Sequence, residues 1–387
     1  MEEKRQVYLD YSATTPVKPE VLEAMLPYFT ESFGNPSSLY TVGQITKDAI
    51  RTARAQLAEL IGAKTPEIFF TGSGTEADNW AFIGGAMWKR SKGKHVITSN
   101  IEHHAMIHSG QFLEKEGFEV TYLPVDEMGF VRVDDLKNAL REDTTIVSIM
   151  YANNEIGTIQ PIEELCRVTH EKGALFHTDA VQALGNTPID VNELGVDMMS
   201  LSAHKIYGPK GIGALYIKKG INLPSYIHGG AQESGRRAGT ENLTSIIGFG
   251  KAAEIAGMNL EAHIAHTSEL RNYFLERVKA EISDIRINGS LESRLPGNVN
   301  ITFKYIEGEA ILLLLDLAGI SVSTGSACSS ASLEPSHVLQ AIGVPTEESH
   351  GSIRFTIGDY TTKEDLDYAI EKLKAAVVKL RNISSLN

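Results

Sequence analysis

An aspartate and a downstream lysine are the residues of this chain that could do chemistry together. Asp179 lies in the segment GALFHTDAVQ, and Lys205 lies in SLSAHKIYGPKGIG. A pyridoxal phosphate enzyme needs an anion beside the pyridine nitrogen and a lysine amine that bonds the aldehyde. Taken alone, either residue has an ordinary alternative, a helix cap for the aspartate and a solvated turn for the lysine. Together they predict a pyridoxal phosphate site.

Both residues follow apolar runs that are typical of buried strands. Asp179 closes the run that begins at Ala174, and Lys205 follows the run 198–201 at its polar exit. Ligands of open α/β sheets collect at the carboxyl ends of the strands. We therefore expect the two side chains to converge on one crevice.

A glycine-rich turn after the strand EIFF could hold the cofactor's phosphate. The segment TGSGTEADN allows a tight turn, and its Thr75 and Glu76 resemble the opening of a helix. Backbone N–H groups at a helix start bind anions. Ser202 and His204 flank the lysine and could complete the same anion site. No nucleotide P-loop motif occurs in the sequence.

Histidines and an asparagine are candidates for contacts with the cofactor ring. His103 is predicted to stack on the ring, with a hydrogen-bonded, partly buried histidine as the alternative. Asn154 follows the strand-like run 146–150 and offers an amide near the ring. His104 and His108 have the spacing of a helical metal pair, but no carboxylate or cysteine completes such a site.

The two cysteines differ in their surroundings. Cys166 lies in an amphipathic stretch and is predicted to be buried and inert, whereas Cys328 lies among small hydroxylic residues in a loop able to move. An accessible thiol in such a loop can be a nucleophile. Arg354 is a charge inside an apolar strand-like segment, where it could grip an amino-acid carboxylate or form a structural ion pair.

Composition narrows the class of protein. The chain has 387 residues, 42% hydrophobic and 22% charged, which is ordinary for a soluble globular protein. Its formal charge of −13 and the lack of a basic run argue against nucleic-acid binding. No apolar stretch is long enough to span a bilayer, so no membrane association is expected. With two cysteines and no disulfide framework, a cytoplasmic location is predicted.

The chain divides into two patterns of secondary structure. Strand-like runs alternate with helical spacing up to about residue 202, which indicates a mainly parallel sheet with helices on both faces. A long amphipathic stretch, roughly Ile246 to Ile282, leads out of this region. Beyond it, strand-like segments alternate with helices as in a smaller α+β domain. The expected division is a large cofactor-binding domain, 16–258, and a small domain, 1–15 and 259–387, carrying a catalytic loop at about 323–335.

These motifs resemble those of the cysteine desulfurases in the class V aminotransferase family, specifically the group with a long catalytic loop. The resemblance covers nearly the whole chain. It rests on the combination YLDYSATTP, FGNPSS, TGSGTEADN, EHHA, NNEIGTIQP, HTDAVQ, SAHKIYGPKG, GTEN, STGSACSS, SHVL and IRFTIG. It implies an α/β fold of fold type I, with a mainly parallel seven-stranded sheet flanked by helices and a smaller α+β domain.

The resemblance also implies roles for individual residues. Lys205 would carry pyridoxal 5'-phosphate, Asp179 would meet the pyridine nitrogen, and Gln182 would meet the ring hydroxyl. The remaining cofactor contacts would be Gly74, Thr75, His103, Asn154, Ser202, Ala203 and His204, with Thr240 reaching in from a second subunit of a homodimer. The chain departs from the commonest family pattern at Ala231 and Ala238, and neither position is among the residues proposed for chemistry.

The implied reaction is the conversion of L-cysteine to L-alanine by a sulfurtransferase. Arg354, with Asn154, would bind the substrate, Lys205 would remove the α-proton, and His103 would shuttle protons. Cys328 would take the sulfur as a persulfide, deliver it to an iron–sulfur scaffold protein or another acceptor, and could ligate a shared cluster. The alternatives are an aminotransferase or selenocysteine lyase on the same fold, and a non-catalytic sulfur-relay or cluster-binding platform.

Overall fold

Apolar runs and helical patterns alternate through most of the chain, and most of the short apolar runs form strands. The computed structural model describes residues 5–324 and 335–383, so Cys328 and most of the predicted catalytic loop lie outside the described residues. The strands are β1 (Val7–Tyr8), β2 (Ile68–Thr71), β3 (His95–Ser99), β4 (Glu119–Leu123), β5 (Thr144–Ser148), β6 (Leu175–Asp179), β7 (Met198–Ser202), β8 (Gly213–Ile217), β9 (Ile285–Ile287), β10 (Asn298–Phe303), β11 (Ile320–Ser321) and β12 (Ser352–Thr356).

Helices separate most of these strands. They are α1 (Pro19–Met25), α2 (Pro27–Thr30), α3 (Thr41–Leu60), α4 (Gly74–Trp88), α5 (His104–Lys115), α6 (Val133–Ala139), α7 (Ile162–Glu171), α8 (Val191–Leu194), α9 (Gln232–Gly235), α10 (Leu243–Glu281), α11 (Gly308–Leu317), α12 (His337–Ala341), α13 (Thr346–Ser349) and α14 (Lys363–Ile383). Two short 3₁₀ turns, Thr65–Glu67 and Ala203–Lys205, precede β2 and follow β7. No helix in the described ranges has the length and apolar character needed to cross a membrane.

Seven strands form the large sheet in the order β2-β8-β7-β6-β5-β3-β4. The neighbours from β7 through β4 pair in parallel, and only β8 runs antiparallel to both of its neighbours. Strands β5, β6 and β7 are buried along their whole length, as expected of a sheet covered on both faces. The predicted mainly parallel seven-stranded α/β sheet is confirmed.

The parallel pairing aligns the carboxyl ends of β5, β6 and β7 at one edge. Strand β5 begins and ends two residues earlier than the predicted run 146–150. Extended pairing continues beyond it, however, because the N–H groups of Ile149 and Tyr151 donate to the carbonyls of His177 and Asp179. The chain after β5 is therefore held against β6 as far as the residues that approach Asp179.

A second hydrophobic core lies in the smaller unit. Strand β10 pairs antiparallel with β9 and β12, while β1 pairs in parallel with β11. The N-terminal strand thus packs with the last third of the chain, which supports the predicted grouping of residues 1–15 with 259–387. The exact boundaries stay a prediction.

Helix α10 connects the two cores. Its first third contributes Ile246 and Phe249 to the core of the large sheet, whereas its last third contributes Leu270 and Phe274 to the second core. A single 39-residue helix therefore holds the small unit at a fixed place beside the large sheet. This matters for the site, because β12 carries Arg354.

Candidate active site

A cavity of about 420 Å³ opens at the carboxyl ends of the parallel strands. Its volume suits a small-molecule cofactor with an amino-acid substrate. Ten of the predicted site residues line it together: Gly74, Thr75, His103, Asn154, Asp179, Gln182, Ser202, His204, Lys205 and Arg354. The structure thus brings together side chains that are up to 280 positions apart in the sequence, from Gly74 to Arg354.

Lys205 ends the 3₁₀ turn after β7 and points into the cavity. Its Nζ donates to the carbonyl oxygens of Ser12, at 2.5 Å, and Ala13, at 2.8 Å. Gln182 donates its amide to the same Ser12 carbonyl at 3.0 Å. The N-terminal segment therefore fixes the position of the amine beside the predicted ring contact.

Asp179 is the last residue of β6 and is almost fully buried. Its Oδ1 accepts the backbone N–H of Val181 at 2.9 Å, a local turn contact rather than a helix cap. Burial raises the pKa of Asp179 to about 6, and the Val181 N–H and the positive charge of Lys205 oppose that rise. A cationic ring nitrogen beside this carboxylate would stabilise its ionised form and so oppose the effect of burial on the pKa of Asp179.

The start of α4, where the anion cradle is predicted, lines one end of the cavity. Ser73 caps the helix by accepting the N–H of Glu76 at 3.1 Å, and Glu76 in turn accepts the N–H of Gly72 at 2.8 Å. Arg237 donates to Glu76 at 2.8 Å and so braces this turn. Helix N-termini favour anions through their N–H groups and dipole.

His204 faces the same end of the cavity from the 3₁₀ turn. Its Nδ1 lies 3.2 Å from the Thr14 hydroxyl oxygen. Burial, helped by the charges of Lys205 and Lys210, lowers the pKa of His204 to about 4, so the ring is neutral at neutral pH. It can offer one N–H to an anion, alongside the hydroxyls of Thr75 and Ser202.

His103 caps α5 and also lines the cavity. Its Nδ1 accepts the N–H of Ala105 at 3.2 Å. Burial and the charge of Lys205 lower the pKa of His103 to about 4. A neutral imidazole whose Nδ1 accepts carries its proton on Nε2. His103 is therefore a hydrogen-bonded, mostly buried cap that also lines the cavity, and its stacking on a cofactor ring stays a prediction.

Arg354 is fully buried in β12 at the substrate side of the cavity. Its Nη2 donates to Asp10 Oδ1 at 2.8 Å, and its Nη1 donates to the backbone carbonyl of Asn154 at 3.0 Å. Its Nε is buried and has no hydrogen-bond partner in the described part of the chain. The ion pair with Asp10 orients the guanidinium, and the group still faces the cavity.

Two predicted residues in the described part of the chain do not line the cavity. Ala203 is buried beneath it in the 3₁₀ turn, and Thr240 is exposed on the surface, which leaves its role in a second subunit a prediction. Cys328 lies outside the described residues. The rings of His104 and His108 lie 5.6 Å apart, and within residues 5–324 and 335–383 no group of three or more His, Cys, Asp or Glu could hold a metal ion.

Several residues at the site were not predicted from sequence patterns. Asp10, Ser12 and Ala13 belong to the motif YLDYSATTP, and Asp78 belongs to TGSGTEADN. Lys210 lines the cavity beside Lys205. Membership of those motifs was the only available signal, because a backbone carbonyl contact leaves no trace in residue type.

The residues present fit pyridoxal 5'-phosphate. Its chemical groups need an amine, a buried carboxylate, and N–H and hydroxyl donors for a phosphate, and Lys205, Asp179 and the start of α4 provide them around one cavity. Gly74 also fits this interpretation, since a Cβ there would lie 2.7 Å from Val181 Cγ2 at the cavity wall. The absence of a side chain at Gly74 keeps this end of the cavity open.

Comparison with known proteins decides the family. The family model described as Aminotransferase class-V matches residues 7–369. The chain belongs to the class-V aminotransferase family. Among its relatives is the protein named cysteine desulfurase IscS of Dictyoglomus turgidum, 58% identical over 98% of this chain and 97% of that protein.

Solved structures agree with this assignment. A NifS-like protein matches with a TM-score of 0.91 at 38% identity, covering 97% of this chain and 100% of that one. The structure titled SspA in complex with cysteine matches with a TM-score of 0.81 at 37% identity, covering 92% and 100%. The predicted fold, the cysteine desulfurase group and the pyridoxal phosphate cofactor are confirmed.

Gly74→Ala should weaken cofactor binding about tenfold, corresponding to about 1.4 kcal/mol. The added methyl meets Val181 at 2.7 Å, and Val181 also lines the cavity, so relief of the clash takes space from the cofactor. Equilibrium dialysis of apoprotein against pyridoxal phosphate measures the effect. Gly257→Ala is the control, because its Cβ would meet Leu60 at an ordinary 3.5 Å. Equal affinities for both variants would contradict the assigned cradle.

Proposed function

We propose how this chain carries out cysteine desulfuration. Arg354 holds the carboxylate of L-cysteine, and Lys205 takes the α-proton. When bound, pyridoxal phosphate withdraws electrons from the α-carbon and stabilises the charge left by that proton. The observation that carries the proposal is the placement of Lys205, Asp179 and Arg354 around one cavity.

His103 supports proton movement in this arrangement. Its neutral ring has the proton on Nε2, so it can donate to the substrate and then take a proton back. Its low pKa, caused by burial and by Lys205, keeps the ring neutral through the physiological range. His103 therefore complements Lys205, which holds the second mobile proton of the site.

Cys328 is the proposed sulfur acceptor. Its thiolate attacks the sulfur of the substrate, so that an S–S bond forms and the substrate's C–S bond breaks. The electron pair of the broken bond stays with the substrate carbon, which takes up a proton and leaves as alanine. The enzyme keeps the transferred sulfur as a persulfide.

The described residues on both sides of Cys328 are attached beside the cavity. Ser323 exchanges backbone hydrogen bonds with Arg354, at 2.7 and 3.2 Å. On the other side, Ser336 donates to Glu155 at 2.6 Å, and His337 Nε2 lies 3.0 Å from the Glu102 carbonyl oxygen. Cys328 is five residues from Ser323 in the sequence, and five residues of fully extended chain span at most roughly 18 Å. That span supports access to the substrate.

Cys328→Ala should keep the cofactor's visible absorbance but lose persulfide and alanine formation from L-cysteine. The reason is that the variant retains Lys205 and Asp179 and lacks only the acceptor thiol. Alanine and sulfide are quantified together with a reductant present, and persulfide is located by mass spectrometry of the peptides.

Cys166→Ala is the matched control, because burial raises the pKa of that thiol to about 12 and makes it inert. It should desulfurate like the unmodified protein. Persulfide on Cys166, or full alanine production by Cys328→Ala, would contradict the proposed acceptor. Pyruvate and ammonia in place of alanine would indicate β-elimination.

A homodimer is part of the proposal. Large apolar side chains are exposed within one stretch of the chain, at Leu22, Leu26, Phe29, Phe33, Leu39 and Tyr40. Thr240 is likewise exposed, in the segment whose Arg237 braces the phosphate turn. A second copy that covers the apolar stretch would bury it and let Thr240 reach the neighbouring site.

Phe29→Asp should convert the dimer to a monomer, because a carboxylate at this 57% exposed position would have to be desolvated in the interface. Light scattering after size-exclusion chromatography gives the molar mass. The control is Phe112→Asp, which adds the same charge at a 43% exposed position on α5. A monomeric unmodified protein, or equal behaviour of the two variants, would contradict the proposed interface.

The acceptor beyond Cys328 follows from the chemistry of a persulfide. An iron–sulfur scaffold protein, or another sulfur acceptor with a nucleophilic thiol, would take the outer sulfur from Cys328. A shared cluster ligated by this cysteine and a cytoplasmic location both remain predictions from the sequence.

A further inference from the structure

A second buried carboxyl group, Asp78, lies near Asp179 and has no role in the proposed function given above. It is on α4, one turn after Gly74, and it lines the cavity with 1% of its surface exposed. Its Oδ1 has no hydrogen-bond partner in the described ranges. A buried carboxylate with an oxygen that lacks a donor is costly.

The basic group nearest to Asp78 does not neutralise it. His177 Nε2 lies 3.9 Å from Asp78 Oδ1. However, both nitrogens of His177 are engaged by hydroxyl groups, Nδ1 with Ser148 at 2.7 Å and Nε2 with Ser200 at 2.9 Å. Burial lowers the pKa of His177 to about 3, so its ring is neutral. The pair is therefore not an ion pair.

Asp78 and Asp179 face one space. His177 and Asp179 are two residues apart on β6 and so share a face of the sheet, and α4 packs against β6 and β7. Burial raises the pKa of Asp78 well above its ordinary value, and the charge of Asp179 acts in the same direction. Two carboxyl groups in such a space do not both ionise readily.

The surroundings decide which carboxyl group takes the negative charge. Asp179 accepts a backbone N–H from Val181 and feels the positive charge of Lys205, and both favour its ionised form. A hydrogen bond with the Ser200 hydroxyl favours the ionised form of Asp78, whereas the negative charge of Glu102 disfavours that form. The neighbourhood therefore contains a donor and a cation for Asp179 but no cation for Asp78 among the described residues.

We propose that Asp78 is a positioning residue that carries the proton of a two-carboxyl unit, so that Asp179 alone bears the negative charge facing the cofactor's ring nitrogen. This inference deepens the proposed function, since it concerns the residue that meets the pyridine ring. Protonated Asp78 adds a polar neighbour without a second charge. The ring nitrogen then meets one anion at a fixed place rather than a charge shared between two groups.

Infrared spectroscopy of the apoprotein at neutral pH tests the assignment directly. The carbonyl stretching band of a protonated carboxylic acid should be lost in Asp78→Asn and kept in Asp179→Asn. Glu102 should give a separate band, because burial raises its pKa to about 8, and Glu102→Gln removes that band as the matched control. If Asp78→Asn leaves every carboxylic acid band in place, Asp78 is ionised and the proposal is overturned.

Cofactor affinity supplies a second readout. Asp78→Asn keeps a neutral polar group and should weaken pyridoxal phosphate binding by no more than about threefold. Asp78→Leu also loses the hydrogen bond with Ser200 and should weaken that binding about tenfold. Asp179→Asn should weaken it more than either. A loss in Asp78→Asn as large as that in Asp179→Asn would overturn the proposal. The infrared result does not depend on desulfuration, so a failure of the proposed reaction would be seen separately.

Discussion

The hold of the N-terminal segment on Lys205 is the interaction on which the rest of the site depends. Two backbone carbonyls, from Ser12 and Ala13, accept from its Nζ, and Gln182 donates to one of them. Lysine has a long side chain with much rotational freedom, so an unrestrained amine would rarely lie at the reacting atom. In this protein, the N-terminal segment and the chain at the ends of β6 and β7 together fix the position of the Lys205 amine.

The same N-terminal segment that holds Lys205 also contacts Arg354. Asp10, two residues before Ser12, forms the ion pair that orients Arg354, and Ser12 itself donates its N–H to Thr356 at the end of β12. Helix α10 and the pairing of β1 with β11 keep the small unit in place while these contacts form. The distance between Arg354 and Lys205 is thus set by a continuous set of short contacts, as oriented catalysis requires.

Sequence patterns predicted the parts of this site that depend on local structure. Asp179 and Lys205 could be placed because each follows a buried apolar run, and the start of α4 could be placed from its glycines and its helix-opening residues. The seven-stranded sheet and the smaller unit followed from alternation and family resemblance. The limits of β5 shifted by two residues, and extended pairing there continues past the regular strand.

Contacts between distant parts of the chain could not be predicted in this way. The Asp10–Arg354 ion pair joins residues 344 positions apart, and the contacts of Lys205 are with backbone oxygens, which every residue has. Asp78 was hidden for another reason. Its charge state depends on burial beside Asp179, and burial is a property of the folded chain rather than of residue type.

The central claim is that Lys205 is the amine that bonds the cofactor. Lys210 also lines the cavity and is therefore the alternative amine to test. The most direct measurement is borohydride reduction of the holoenzyme, which makes the lysine–cofactor bond permanent, followed by proteolysis and mass spectrometry of the modified peptide. The account predicts the cofactor's mass on Lys205 alone. Modification of Lys210 with Lys205 unmodified would contradict it.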